Sequence, residues 1–159
     1  MYRFLFLVCI GVALACVPPD CKNEDCGTCA NACCILQFTF KASTDDVDKL
    51  MVDSLKNGGD DGRYTLVNNS DYRPYNMSVK FMLQTIHTTK VHHYNDTQDW
   101  LVSEGKEEGT TVVKAFSISN IYGAYCDAGQ NYKNLVGFVK GLNVDFKQEA
   151  IAGCPPPKE

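Results

Sequence analysis

Histidine is scarce in this chain: three residues in 159, His87, His92 and His93. A zinc site needs three or four converging ligands. His92 and His93 are adjacent and point to opposite faces of an extended strand, so the pair cannot serve one ion without a bend. Basic charge is not in excess either. Fifteen Lys and Arg stand against nineteen Asp and Glu, a net charge of -4, which argues against nucleic acid or an anionic membrane surface as the main partner. There is no G-x-S-x-G nucleophile elbow. There is no internal repeat, low-complexity tract or domain linker, and no second hydrophobic segment after the first fifteen residues. The tail PPPKE, residues 155–159, is not a lipid-anchor signal.

The first fifteen residues, MYRFLFLVCIGVALA, read as a secretory signal peptide. Arg3 supplies the positive start, residues 4–14 the apolar core, and Ala13-Leu14-Ala15 the small-x-small cleavage site. The apolar run is too short to span a bilayer. Cleavage would place Cys16 first, and a lipidated Cys16 is the rival reading. Asn68, Asn76 and Asn95 open Asn-x-Ser/Thr sequons, which agrees with a eukaryotic secretory route if each sits in an exposed loop. The expected product is a released extracellular glycoprotein without a membrane anchor.

Nine cysteines are present, and Cys9 leaves with the signal. The other eight are Cys16, Cys21, Cys26, Cys29, Cys33, Cys34, Cys126 and Cys154. An even count in an oxidising compartment implies up to four disulfides. Cys26 and Cys29 have C-x-x-C spacing. Zinc would need a second pair at finger spacing, and a redox pair would need to open a helix after a strand; neither context is found. Residues 16–34 therefore read as a disulfide-stapled cap, and Cys126 is expected to pair with a cap cysteine or with Cys154.

Residues 35–154 read as one α+β domain. Residues 35–42 form a strand with Leu36, Phe38 and Phe40 on one face. A helix over 44–57 follows, capped by Ser43 or Thr44 and ended by Gly58 and Gly59. Strands are expected at 63–68, 77–90, 97–103 and 110–119, with a polar loop at 69–76. Across the hairpin of the second and third of these, His87 and Asp99 could meet. A second helix covers 131–142, weakened by Gly137 and Gly141. Residues 143–150 are either a last strand or an extended tail. The sum is an antiparallel sheet of about five strands, with two helices packed on one face.

The polar set is densest at 117–131. Ser117 and Ser119 share a strand face, and a Tyr/Gly-rich loop with Tyr125 follows. Asp127-x-Gly129-x-Asn131 opens the second helix. Asp127 suits a helix cap, Gly129 a tight turn, and Asn131 a bridge between loop backbone groups. Tyr and Asn in loops can build binding surfaces at low entropic cost. Tyr125, Asp127, Gly129 and Asn131, with Lys133 after them, resemble the domain-of-unknown-function family 1499, as do Asp99-Trp100 on the upstream hairpin and the early helix. Where that family carries arginines, this chain has Lys114 and Asn120. The resemblance covers about residues 35–142 and implies fold rather than activity.

The expected role is therefore binding, of a small ligand or an extracellular partner, with Ser117, Ser119, Tyr125, Asp127 and Asn131 as the candidate residues. No catalytic residue, cofactor or metal is expected. The alternatives are a hydrolase using residues 117–131 and a structural matrix component.

Overall fold

A computed structural model describes residues 32–121, 123–124 and 126–154. The signal segment, the cap cysteines Cys16, Cys21, Cys26 and Cys29, Tyr125 and the proline tail lie outside the described residues.

The chain runs β1 (Cys33–Phe40), α1 (Thr44–Leu55), β2 (Tyr64–Asp71), β3 (Val79–Thr88), β4 (Asn95–Glu104), β5 (Thr111–Ser119), α2 (Gln130–Gly141) and β6 (Phe146–Ala152), with a short 3-10 turn at Arg73–Tyr75. The strands form one antiparallel sheet in the order β2-β3-β4-β5-β1-β6. Both helices pack on one face. The sixth strand exceeds the expected five. Residues 147–151 are exposed on both faces of the strand, so no hydrophobic alternation marks it, and it is held by its ladder to β1. β2 also runs past its expected end. Its register shifts between Leu66 and Asn68, and its polar end is an edge that needs no buried face.

Local chemistry explains the elements. Leu36, Phe38 and Phe40 alternate inward on β1 and are almost wholly buried. Ser43 caps α1, its Oγ accepting from Asp46 N at 3.2 Å. Val47, Met51 and Leu55 then form the buried stripe. Trp100 sits at the centre of the core, 4.8 Å from the Phe138 ring of α2. Each side chain of this size contributes about 1.5–3 kcal/mol when fully buried.

The inward face of the sheet changes character along the strands. Residues directly opposite one another in the ladder share a face, so the registers define rows. Phe81, Val102, Val113 and Phe38 make one row, and Leu83, Trp100, Ala115 and Leu36 the next. Then the chemistry turns polar. Thr85, Gln98 and Ser117 form a third row, and Tyr64, His87, Asp96 and Ser119 a fourth. α2 has the matching gradient: Asn131 and Asn134 are buried in its first turns, and Leu135, Phe138 and Val139 after them. The core is thus apolar at one end and hydrogen-bonded at the other.

Gly137 and Gly141 have a steric reason. A Cβ at Gly141 would lie 2.4 Å from Asp60 Cβ, and one at Gly137 would lie 2.9 Å from Asp60 Oδ2. The two glycines let the 58–62 turn seat against α2. That contact delivers Asp61 and Arg63 to the polar end of the sheet.

Candidate functional site

The polar rows close against α2 through a continuous network. Trp100 Nε1 donates to Thr85 Oγ1 at 3.0 Å, and Thr85 Oγ1 donates to Gln98 Oε1 at 2.9 Å. Gln98 Nε2 reaches Ser117 Oγ at 3.4 Å, and Ser117 donates to Asn131 Oδ1 at 2.6 Å. The Asn131 amide then donates to Ala32 O at 2.9 Å, to Ser119 Oγ at 3.2 Å and to Asp127 Oδ2 at 2.6 Å. Asp127 holds the start of α2, accepting from Gly129 N at 2.9 Å and from Asn131 N at 2.6 Å. Gly129, in the left-handed region at φ 76, turns the chain into the helix.

Four of the five binding residues expected from sequence therefore come together. Ser117 and Asn131 are spent internally, as a buried brace. Ser119 and Asp127 line a cleft of about 780 Å³ at the end of the sheet. Tyr125 lies outside the described residues. Asp127→Ala removes three accepted bonds at the start of α2 and is expected to lower stability by about 1–2 kcal/mol. An unchanged denaturant midpoint would show that these bonds do not hold the helix start.

Sequence reading missed three members of the cleft: His87, Asp96 and Arg63. On the sequence pattern His87 could meet Asp99 across the hairpin. Instead Asp99 accepts from Gln84 on the opposite sheet face at 2.9 Å, and the residue opposite His87 is Asp96. β4 begins at Asn95, two residues before the expected start. Side chains alternate along a strand, so His87 and Asp99, in rows of opposite parity, cannot share a face.

His87 is 2 % exposed, and its Nε2 lies 3.0 Å from Asp61 Oδ2. A carboxylate only accepts, so Nε2 carries the proton. The Arg63 guanidinium pairs with the same Asp61 oxygen through Nη2. Among the described residues, the buried side-chain polar atoms without a hydrogen-bond partner are His87 Nδ1 and Arg63 Nε. Both residues line the cleft.

Asp96 is 3 % exposed and accepts from Asn134 Nδ2 at 2.8 Å. Burial pushes its carboxyl above the usual range, against the lowering pull of hydrogen bonds from Asn134 and Ser119 and of the His87 ring; Asp127 adds to the rise. An acid raised in the folded state favours folding most when protonated. Its contribution is complete below the unfolded carboxyl value of about 3.9 and fades as pH rises through the folded value. Asp96→Asn does not titrate and keeps an acceptor for Asn134. Its melting temperature is expected to gain on the parent as pH rises above about 4, until the folded-state carboxyl has ionised. A gap that is flat with pH would place the Asp96 carboxyl in its ordinary range.

The row order also decides what the polar set can do. Asp96 stands between His87 and Ser119, one strand from each. Strands lie about 4.8 Å apart, so the imidazole and the hydroxyl are separated by two spacings. A serine relay needs histidine within hydrogen-bond reach of the hydroxyl. Here the Ser119 hydroxyl bonds to the carboxyl instead. No group of three or more His, Cys, Asp or Glu that could hold a metal ion occurs among the described residues.

Cys34 is bonded to Cys154, which removes Cys154 as a partner for Cys126. Cys33 and Cys126 are disulfide-bonded as well. All three sequon asparagines are exposed; Asn68 lies in β2, Asn95 opens β4, and Asn76 follows the 3-10 turn. Among the described residues no helix is long and apolar enough to cross a membrane. Comparison with protein-family models, with curated proteins and with solved structures finds no match.

Proposed function

We propose that this chain is a secreted binding module that holds a small ligand in the cleft at the polar end of its sheet. One observation carries the reading: a cleft of about 780 Å³ is floored by the nearly buried side chains of His87, Asp96 and Ser119. Cavities of about 300–1,000 Å³ with a few placed polar groups are the usual form of small-molecule sites. A carboxyl kept out of water, in a core that could have been apolar, costs stability and so points to use. Disulfides at Cys33, Cys34, Cys126 and Cys154 agree with an oxidising compartment. Kinship with family 1499, resting on Asp127, Gly129 and Asn131, belongs to the same proposal.

The test is the intact mass of the protein purified from its own secretion, native and then denatured, together with a thermal-shift screen of a small-molecule library. Mass lost on denaturing, or library members that raise the melting temperature of the parent but not of a cleft-filling Ala124→Trp variant, supports the reading. No lost mass and no stabilising compound would remove it.

A further inference from the structure

We propose that the ligand of this cleft carries a protonated amine beside a hydrogen-bond-accepting oxygen, the amine seated against His87, Asp96 and Asp127 and the oxygen against Arg63. The proposal rests on the reading of the cleft as a small-ligand site. Its warrant is the pair of unsatisfied atoms. His87 gives its Nε2 proton to Asp61, so in the neutral ring Nδ1 is a lone-pair acceptor. That side chain is 3 % exposed, and Nδ1 has no donor among the described residues. Asp61 does not line the cleft, whereas His87 does. The nitrogen left over is therefore the one that still lacks a proton donor.

Two carboxylates stand beside it. Asp96 and Asp127 both line the cleft, and Asp127 disfavours charge on Asp96. A carboxylate can accept about four hydrogen bonds. Two donors reach Asp96, the Asn134 amide and the Ser119 hydroxyl, and both are neutral. An ammonium has three donors and a full charge, which suits two carboxylates and one imidazole nitrogen. Arg63 supplies the opposite need: its Nη2 is held by Asp61, and its buried Nε–H has no acceptor. An oxygen on the same ligand satisfies it. Three exposed apolar side chains, Val91, Tyr94 and Ile121, stand at the rim and suit an apolar substituent on the ligand.

The experiment is calorimetric titration of the whole secreted protein at neutral pH with a matched set of probes. L-phenylalaninol has amine, oxygen and apolar ring. 2-Phenylethylamine lacks the oxygen; 3-phenylpropanol and 3-phenylpropionate lack the amine. Loss of one charge-assisted hydrogen bond is about tenfold or more in affinity. Phenylalaninol is expected to bind, phenylethylamine more weakly by several-fold, and the two amine-free probes at least about tenfold more weakly. Asp96→Asn is expected to cost phenylalaninol about tenfold. A probe lacking either group that binds as tightly as phenylalaninol overturns the proposal and leaves the cleft a binding site for another class, as does an Asp96→Asn protein with unchanged affinity. Failure of all four probes while library compounds bind has the same meaning. Failure of every compound overturns the cleft reading as well.

Discussion

Asn131→Leu is expected to lower the free energy of unfolding by about 2–4 kcal/mol, measured by urea denaturation. The substitution nearly conserves volume, so packing is not what it tests. The Asn131 side chain joins the third and fourth rows of the sheet to Ala32 and to the start of α2. With leucine in place, the Ser117 hydroxyl loses its acceptor at 2.6 Å in a fully buried site. The Ala32 carbonyl keeps the Ser119 backbone donor but loses the amide. A buried polar group left unpaired costs about 1–3 kcal/mol, and here more than one is affected. Asn143, exposed after α2, provides the control, but it sits at positive φ 55, so its replacement should be Gly. A loss under about 1 kcal/mol at Asn131 would mean that the network rearranges around the leucine.

Removing the Cys34–Cys154 bond, through Cys34→Ala with Cys154→Ala, is expected to cost about 2–5 kcal/mol. The two residues are 120 positions apart, so the bond restricts a very large loop in the unfolded chain, where the entropic argument is strongest. Alanine avoids placing a hydroxyl where Cys34 is 1 % exposed. The local effect should fall on β6. That strand buries little besides Phe146, whose ring packs 5.6 Å from Phe38. Amide exchange in residues 147–152 should rise more than in β4 or β5. Equal protection in the bonded and unbonded forms would show that the β1 ladder alone holds the strand.

Much of the fold could be read from residues. The inward faces of β1 and β3 follow from simple alternation, and α1 from a capped apolar stripe. The N-cap of α2 is Gly129 rather than Asp127, but the bonds Asp127 accepts from Gly129 N and Asn131 N, and the bridging role of Asn131, follow from the chemistry of short polar side chains. What could not be read is informative. β6 lacks a buried face of its own, so nothing in its pattern separates strand from tail. Asp96 falls just before the strand expected at 97–103, and an acidic residue next to Asn95 gives no sign of burial. Its position depends on register, and register is set by pairings the sequence does not state. Arg63 reaches the cleft, and Asp61 the His87 ring, because two glycines some 75 residues later admit the turn that carries them. Such a contact has no local signature.

The place of β1 in the sheet bears on the order in which the molecule can fold. β2, β3, β4 and β5 are neighbours in sequence and can pair as a meander through short connections. β1 has no such neighbour. Its ladders are made with residues 111–118 and 146–152, so closing them means ordering most of the chain first, and contacts of that range form slowly. An apolar strand, LQFTF, is thus without partners until the meander and α2 exist to receive it. In oxidative refolding from the reduced chain, Cys34 and Cys154 should be among the last sulfurs to find each other. Their bond then marks a completed sheet.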